Sequence, residues 1–323
     1  LDSAVDVRAV DPGPVLQQAL GALFRSAGYR TVYGGKTHVP GRIEDYGFEV
    51  FLVNARHVKN VPGRKTDVQD CQWLQYLHSV GLLSGSFRPA KEICAVRSLL
   101  RHRDNMVKTA ARHVQHMQKA LTQMNLQIHH VISDITGVTG LAIMDAILIG
   151  ERNPSKLAEL RDRRIKADKK TIAKSLLGDY RSEHLFTLKQ ALQSYRHYQE
   201  MIRDCDIEIE KHLNEFDSRI DTEQNPLPSS SSGKKKPGRN EPGFDLRTHM
   251  HRIFGTDLTE IDGINVITTH VLFTEVGPDL SKFPTASRFC SWLGLCPNNK
   301  ISGGRILSSQ TTPVANRAAQ ALR

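Results

Sequence analysis

No apolar run in this sequence is long enough to cross a bilayer, and no secretory signal pattern opens it. Membrane-spanning and exported proteins are thereby set aside, and a cytoplasmic location is expected. Zinc-ligand spacing is missing as well. The five cysteines, Cys71, Cys94, Cys205, Cys290 and Cys296, are odd in number, scattered, and form no CxxC pair, which fits reduced thiols in a cytosolic protein. Acid is the third shortage. Asp and Glu number 34 against 44 Lys and Arg, a formal net charge of +10. A basic balance of this size points to a polyanionic partner, most often nucleic acid.

What is present falls into successive stretches. Residues 1–42 are atypical, with one short apolar segment from Val15 to Phe24 and then a glycine-containing run without period. Residues 43–88 carry a strand-like run, Phe48–Val53, then a basic loop, then a helical pattern from Asp67 to Val80 that Gly81 stops. Strand, loop and helix together suggest the end of an α/β domain. Residues 89–221 are helical in character. A long helix runs from Ile93 past Leu121, its outward face expected to carry Arg97, Arg101, Arg103, Lys108, Arg112 and Lys119. Asp104 is the one acid between Arg97 and Thr122, which favours phosphate contact over a plain solvated face.

Ile135 to Ile149 reads as a buried helix–turn–helix piece, and Leu157 to Leu177 as a charged helical stretch whose second half starts at Asp168. Leu188, Tyr195, Ile202, Ile209 and Phe216 then recur every seven residues, with Leu192 and Leu213 between them, as in a coiled coil. Such a seam closes either within one chain or between copies, so a homo-oligomer is expected but not required. Residues 222–243 form a flexible basic linker rich in Ser, Pro, Gly and Lys. Residues 244–323 make a second compact unit of short helices.

Two places carry chemistry. Gly63-Arg64-Lys65-Thr66-Asp67-Val68-Gln69-Asp70 follows the strand-like run. Asp67 and Asp70, three apart at a helix start, share a face and could hold Mg²⁺, a hard cation that takes oxygen ligands. Arg64 and Lys65 suit a phosphate. The plain alternative is an acidic first turn favoured by the helix dipole. Far downstream, Asn298-Asn299-Lys300-Ile301-Ser302-Gly303-Gly304-Arg305 is a basic turn with a serine beside two glycines, and Ser308 and Ser309 follow. Glycines let the backbone approach a phosphate closely. His113, His116, His129 and His130 have no carboxylate or thiol partner in the sequence nearby, so surface or core roles are favoured over metal binding.

Taken together, Leu52–Lys59, Pro62–Asp70, Ile261-Asp262-Gly263-Ile264, Leu293-Gly294-Leu295-Cys296-Pro297 and Ser302-Gly303-Gly304 resemble the DEDD-type insertion-sequence transposases, relatives of the Piv DNA invertase. The resemblance spans roughly residues 43 to 323. It implies α/β plus α architecture: a RuvC-like (RNase H-like) domain, here partial, a coiled-coil insertion, and a small, mostly helical transposase domain that bears a serine. It implies Mg²⁺ held by four acids, of which Asp67 and Asp70 correspond to the last two, and a nucleophilic serine, Ser302, that forms a phosphoserine link to DNA. It also implies element-end and target DNA as substrates, a guide RNA and a homo-oligomer. Arg64, Lys65, Arg101, Lys108, Arg112, Lys300 and Arg305 are the candidate nucleic-acid contacts.

The chain departs from that pattern in its first 42 residues, where neither of the two earlier acids is found. The expectation is a truncated or frame-disrupted copy with impaired strand transfer. The first residue is Leu1 rather than Met, and the last, Arg323, falls within a helical pattern, which point the same way. The alternatives are a non-catalytic DNA- or RNA-binding remnant and a metal-dependent junction nuclease. The nuclease would need four acids and no serine.

Overall fold

The structure is a computed structural model that describes Val53 and residues 67–83, 85–227, 240–311 and 316–323. All but Val53 of the strand-like run Phe48–Val53, the loop holding Arg64 and Lys65, and the lysine-rich centre of the 222–243 linker lie outside the described residues. The chain divides into two compact units, Leu1–Arg88 and Pro89–Arg323.

In the first unit, helix α1 spans Asp67–Ser79. Its end is a Schellman motif. Gly81 adopts φ +72°, its N–H bonds the carbonyl of His78, and the N–H of Leu82 bonds that of Leu77. Only a residue without Cβ adopts this conformation freely, so the helix stops where the sequence places glycine. Leu74 and Leu77 are buried, whereas Cys71 and Val80, expected on the same apolar face, are exposed. The apolar stripe is narrower than the periodicity implied.

The second unit is built on two 33-residue helices, α2 (Lys91–Gln123) and α7 (Ser182–Asn214). They run antiparallel. Val96 near the start of α2 shares a core with Ile209 and Leu213 near the end of α7. Met106 meets Ile202 and Cys205 midway, and Met117 and Leu121 meet Leu188 and Leu192 at the far end. The heptad positions of α7 are therefore filled from within the chain. Each such leucine or isoleucine taken fully out of water contributes about 1.5–3 kcal/mol before entropy is counted.

Between these helices lies a tip of short elements: α3 (Ile128–Val131), α4 (Val138–Leu148), α5 (Pro154–Glu159) and α6 (Lys169–Ser175). Ile143, Ile147, Leu157, Ile172 and Leu176 close its core over the ends of α2 and α7. The Leu157–Leu177 stretch is not one helical run. α5 ends at Glu159, a non-helical loop follows, and Asp168 starts α6 by accepting the N–H of Thr171. Charge alternating with Ile165 and Ala167 resembles a helical face in sequence but serves here as a loop anchored at two apolar points.

At the other end of the hairpin sit α8 (Leu246–Phe254), a short 3₁₀ turn (Leu258–Glu260), α9 (Val266–Val276), α10 (Ala286–Trp292) and α11 (Arg317–Ala321). Phe273 is fully buried, edge-on to Phe216 and Phe254, and joins this group to α7. Residues 279–283 hold a turn at 281–282 and no helix. The described residues contain one sheet, a two-stranded antiparallel hairpin of β1 (Lys300–Ser302) and β2 (Arg305–Ser308).

Arginines bind these pieces together. Arg97 donates from α2 to the carbonyls of Thr274 (2.7 Å) and Glu275 (3.1 Å), two of the carbonyls a helix end leaves unpaired. Arg252 does the same for α7 through the carbonyls of Leu213 and Phe216. Arg103 is buried and paired with Asp206, and it also donates to the carbonyl of Asn240 (3.0 Å). Asp206 in turn accepts the N–H of Gly243 (3.0 Å). The outward face expected of α2 is thus corrected for Arg97 and Arg103, which point into the protein.

Candidate active site

Ser302 is the last residue of β1, and Arg305 is the first of β2 and its cross-strand partner. The two residues between them, Gly303 and Gly304, have φ +55° and +75°. Positive φ at both central positions makes a type I′ turn, whose twist suits a two-residue hairpin. The glycine pair is therefore demanded by backbone geometry, and the sequence gives no sign of this until Ile301 and Ile306 are recognised as paired strand positions. Residues directly opposite hold their Cβ atoms roughly 5 Å apart. Arg305 is thus the residue directly across the turn from Ser302, and both side chains are exposed.

The hairpin is held at its base and free at its end. Pro297 and Thr311 form an isolated bridge, and the N–H of Asn298 bonds the carbonyl of Gln310. Below it, Phe283, Phe289 and Trp292 cluster with centroid separations of 5.1 to 6.1 Å. Gly294, at φ +66°, closes α10 in a second Schellman turn through Leu295 N–H and the Cys290 carbonyl. Leu293 and Gly294 are buried, so the Leu293–Pro297 motif is the joint from which the hairpin projects. Lys300, Ser302 and Arg305 are exposed, and so are Ile301, Ile306 and Leu307. These three apolar side chains were not singled out from sequence. The signal was Ile301 and Ile306 placed symmetrically about Gly-Gly, too short to register as strands.

Ser308 pairs with Lys300, and its hydroxyl accepts from the N–H of Gln310 at 3.4 Å; Ser309 lies beyond the strand. Neither adjoins the turn. A serine needs its proton managed before it attacks, and among the described residues no group of three or more His, Cys, Asp or Glu is placed to hold a metal ion.

Asp67 and Asp70 lie in the first turn of α1, in the other compact unit. Their side chains lie outside what the structure describes; as residue types, two carboxylates are the hard oxygen donors that a divalent cation takes. Arg64 and Lys65 fall outside the described residues.

The remaining nucleic-acid candidates separate. Lys108 and Arg112 are exposed on α2 and carry no ion pair among the described residues. Arg101 differs, because it is bound to Glu275 at 2.8 Å. That carboxylate also lies 3.7 Å from Arg97, so Arg101 serves the junction of α2 with α9 and its charge is already answered. The Ile261–Ile264 motif forms an exposed turn, with Gly263 at φ +87°, leading into α9, which Asn265 caps through the N–H of Thr268.

Two segments of the chain match known family models. Residues 255–322 match the one described as Transposase IS116/IS110/IS902 family. Residues 34–126 match the DEDD transposase model of IS110 elements. No curated protein and no solved structure matches the chain. Among the described residues no helix is long and apolar enough to cross a membrane.

Proposed function

Since both matched segments are IS110/IS116/IS902-family transposase domains, we propose that the chain is a DNA transposase whose serine hairpin performs strand cleavage and rejoining. The observation that carries this is Ser302, exposed beside Arg305 at a glycine turn within the second matched segment. In the proposed step the Ser302 Oγ attacks a DNA phosphorus. A serine–phosphate ester forms, one phosphodiester P–O bond breaks, and the serine proton ends on the departing sugar oxygen. The ester conserves the energy of the broken bond, so a second DNA end can displace the serine without ATP. Arg305 holds the phosphate, Lys300 the flanking backbone, and Lys108 and Arg112 more distant DNA.

Mg²⁺, held by Asp67 and Asp70, would supply charge neutralisation at the phosphate. Substrates are element-end and target DNA, and an RNA guide sets the choice of target. Assembly as a homo-oligomer belongs to the same reading. The seam of α7 is filled from within the chain, so copies would meet on other faces. Two of the four acids implied by resemblance have no counterpart in residues 1–42, so the reading includes a low yield.

The test is a covalent-adduct assay with labelled DNA from the flanks of the reading frame, resolved on denaturing gels, with Mg²⁺ present. Wild type should give a slow adduct that maps to a Ser302 peptide by mass spectrometry, and Ser302→Ala should give none. Equal adduct from both proteins would remove Ser302 and turn attention to Ser308 and Ser309. A second reading, a nucleic-acid binder without catalysis, is favoured by the lack, among the described residues, of a His, Cys, Asp and Glu group placed to hold a metal ion. Wild-type binding with no adduct at any Mg²⁺ concentration would select it.

A further inference from the structure

The tip of the helical hairpin lies between the two matched segments and takes no part in the proposed chemistry. Its loop, residues 160–168, together with the start of α6, is dense in cations. Two acids lie among them and Glu159 stands just before them, and each is occupied. Asp162 is bound by the guanidinium and the N–H of Arg164, which hold its carboxyl down to about 2. Asp168 caps α6, and Glu159 pairs with Lys169. Arg161, Arg163, Lys166, Lys170 and Lys174 are left without an ion pair among the described residues, four of them exposed and Arg161 half-buried.

The loop that carries them is anchored. Ile165 and Ala167 pack on the core. The N–H of Asp162 donates to the hydroxyl of buried Thr139 at 2.9 Å, and the N–H of Ile165 closes a turn onto the Asp162 carbonyl. Arg163 and Lys166 are exposed, whereas Ile165 and Ala167 are half-buried. Cations on an ordered frame lose less entropy on meeting a ligand than cations on a free tail. An unanswered positive cluster in a protein of net charge +10 is a match for evenly spaced phosphates.

We propose that this tip is a second nucleic-acid contact, gripping the phosphodiester backbone without reading sequence through Arg163, Lys166, Lys170 and their neighbours. It rests on the protein's handling nucleic acid but not on the serine chemistry. A phosphate grip remote from the hairpin would fix the register of a long substrate along the molecule.

The experiment uses the full chain with Arg163→Ala, Lys166→Ala and Lys170→Ala combined, alongside wild type and a control, Lys211→Ala, on the exposed side of α7. Binding to a fluorescent 30-base-pair duplex and to a structured RNA hairpin is followed by anisotropy across a salt series. Each lost phosphate contact lowers the log–log salt slope by about 0.7–0.9. The triple variant should therefore lose roughly 2–3 from the slope and at least about tenfold in affinity at moderate salt on one or both nucleic acids. The control should match wild type, and circular dichroism should be unchanged. A slope unaltered for both would overturn the proposal even if Ser302 adducts form. So would a loss confined to phosphatidylserine vesicles, which would assign the tip to a lipid surface. Failure of the serine reading shows separately, as wild-type binding without adduct.

Discussion

The two ends of the long helical hairpin are equally basic in sequence and opposite in structure. At the base, Arg97, Arg103 and Arg252 are bound to carbonyls and carboxylates of neighbouring elements. At the tip, Arg163, Lys166 and Lys170 face water, and the nearby acids are taken up by other groups. Charge count therefore says little about where a nucleic acid would bind. What matters is how much positive charge remains after the fold has satisfied its own helix ends and buried acids. By that measure the base is structural, and the tip and the serine hairpin are available to a partner.

The sharpest way to break the contrast is at the base. Asp206→Ala leaves Arg103 buried without its partner and removes the acceptor of Gly243 N–H. Such a change should cost about 3–5 kcal/mol, read as a lowered urea midpoint. A loss under 1 kcal/mol would mean the Arg103 site admits water.

A second, smaller effect concerns His270, which is fully buried, with neither ring nitrogen hydrogen-bonded among the described residues. Burial first, and then the nearby Arg103, push its pKa from 6.5 down to about 3. The folded protein keeps this ring neutral while the unfolded chain protonates it below 6.5. Its contribution is complete above that pH and is lost as pH falls toward the folded value. Wild type should lose stability with a slope approaching about 1.4 kcal/mol per pH unit from this group. His270→Leu should flatten that slope, measured by urea unfolding between pH 7 and 4. Parallel curves for the two proteins would mean His270 already protonates in the fold.

The smallest expected effect is at the tip. The triple alanine variant should change unfolding free energy by no more than about 0.5 kcal/mol, since among the described residues these exposed side chains make no ion pair and only Lys170 acts on a neighbour, drawing down the Asp168 carboxyl. A larger loss in chemical denaturation would mean the tip cations are structural too, and the contrast with the base would fail.

Much of the helical frame was legible beforehand. Apolar positions three and four apart located α1 and α2, a heptad repeat located α7, and Gly81 marked the stop of α1, because a left-handed terminus selects glycine from local sterics alone. The heptad run was visible, but its partner was not. That required the distant residues Val96, Met106 and Met117 to come alongside. The hairpin at Ser302 was missed as strand because three or four residues carry too little period to separate from a loop.

The sequence by itself determined the long helices, the stop of α1, the basic excess and the residue types at two candidate sites, since these follow from propensity, periodicity and composition. Only the tertiary structure decided which cations are already bound. It sent Arg101 to Glu275 and left Arg163 to solvent. An ion pair between residues 174 apart in the chain leaves no local trace. It forms because packing α9 against α2 brings a carboxylate to a guanidinium, and the energy of that meeting belongs to the fold.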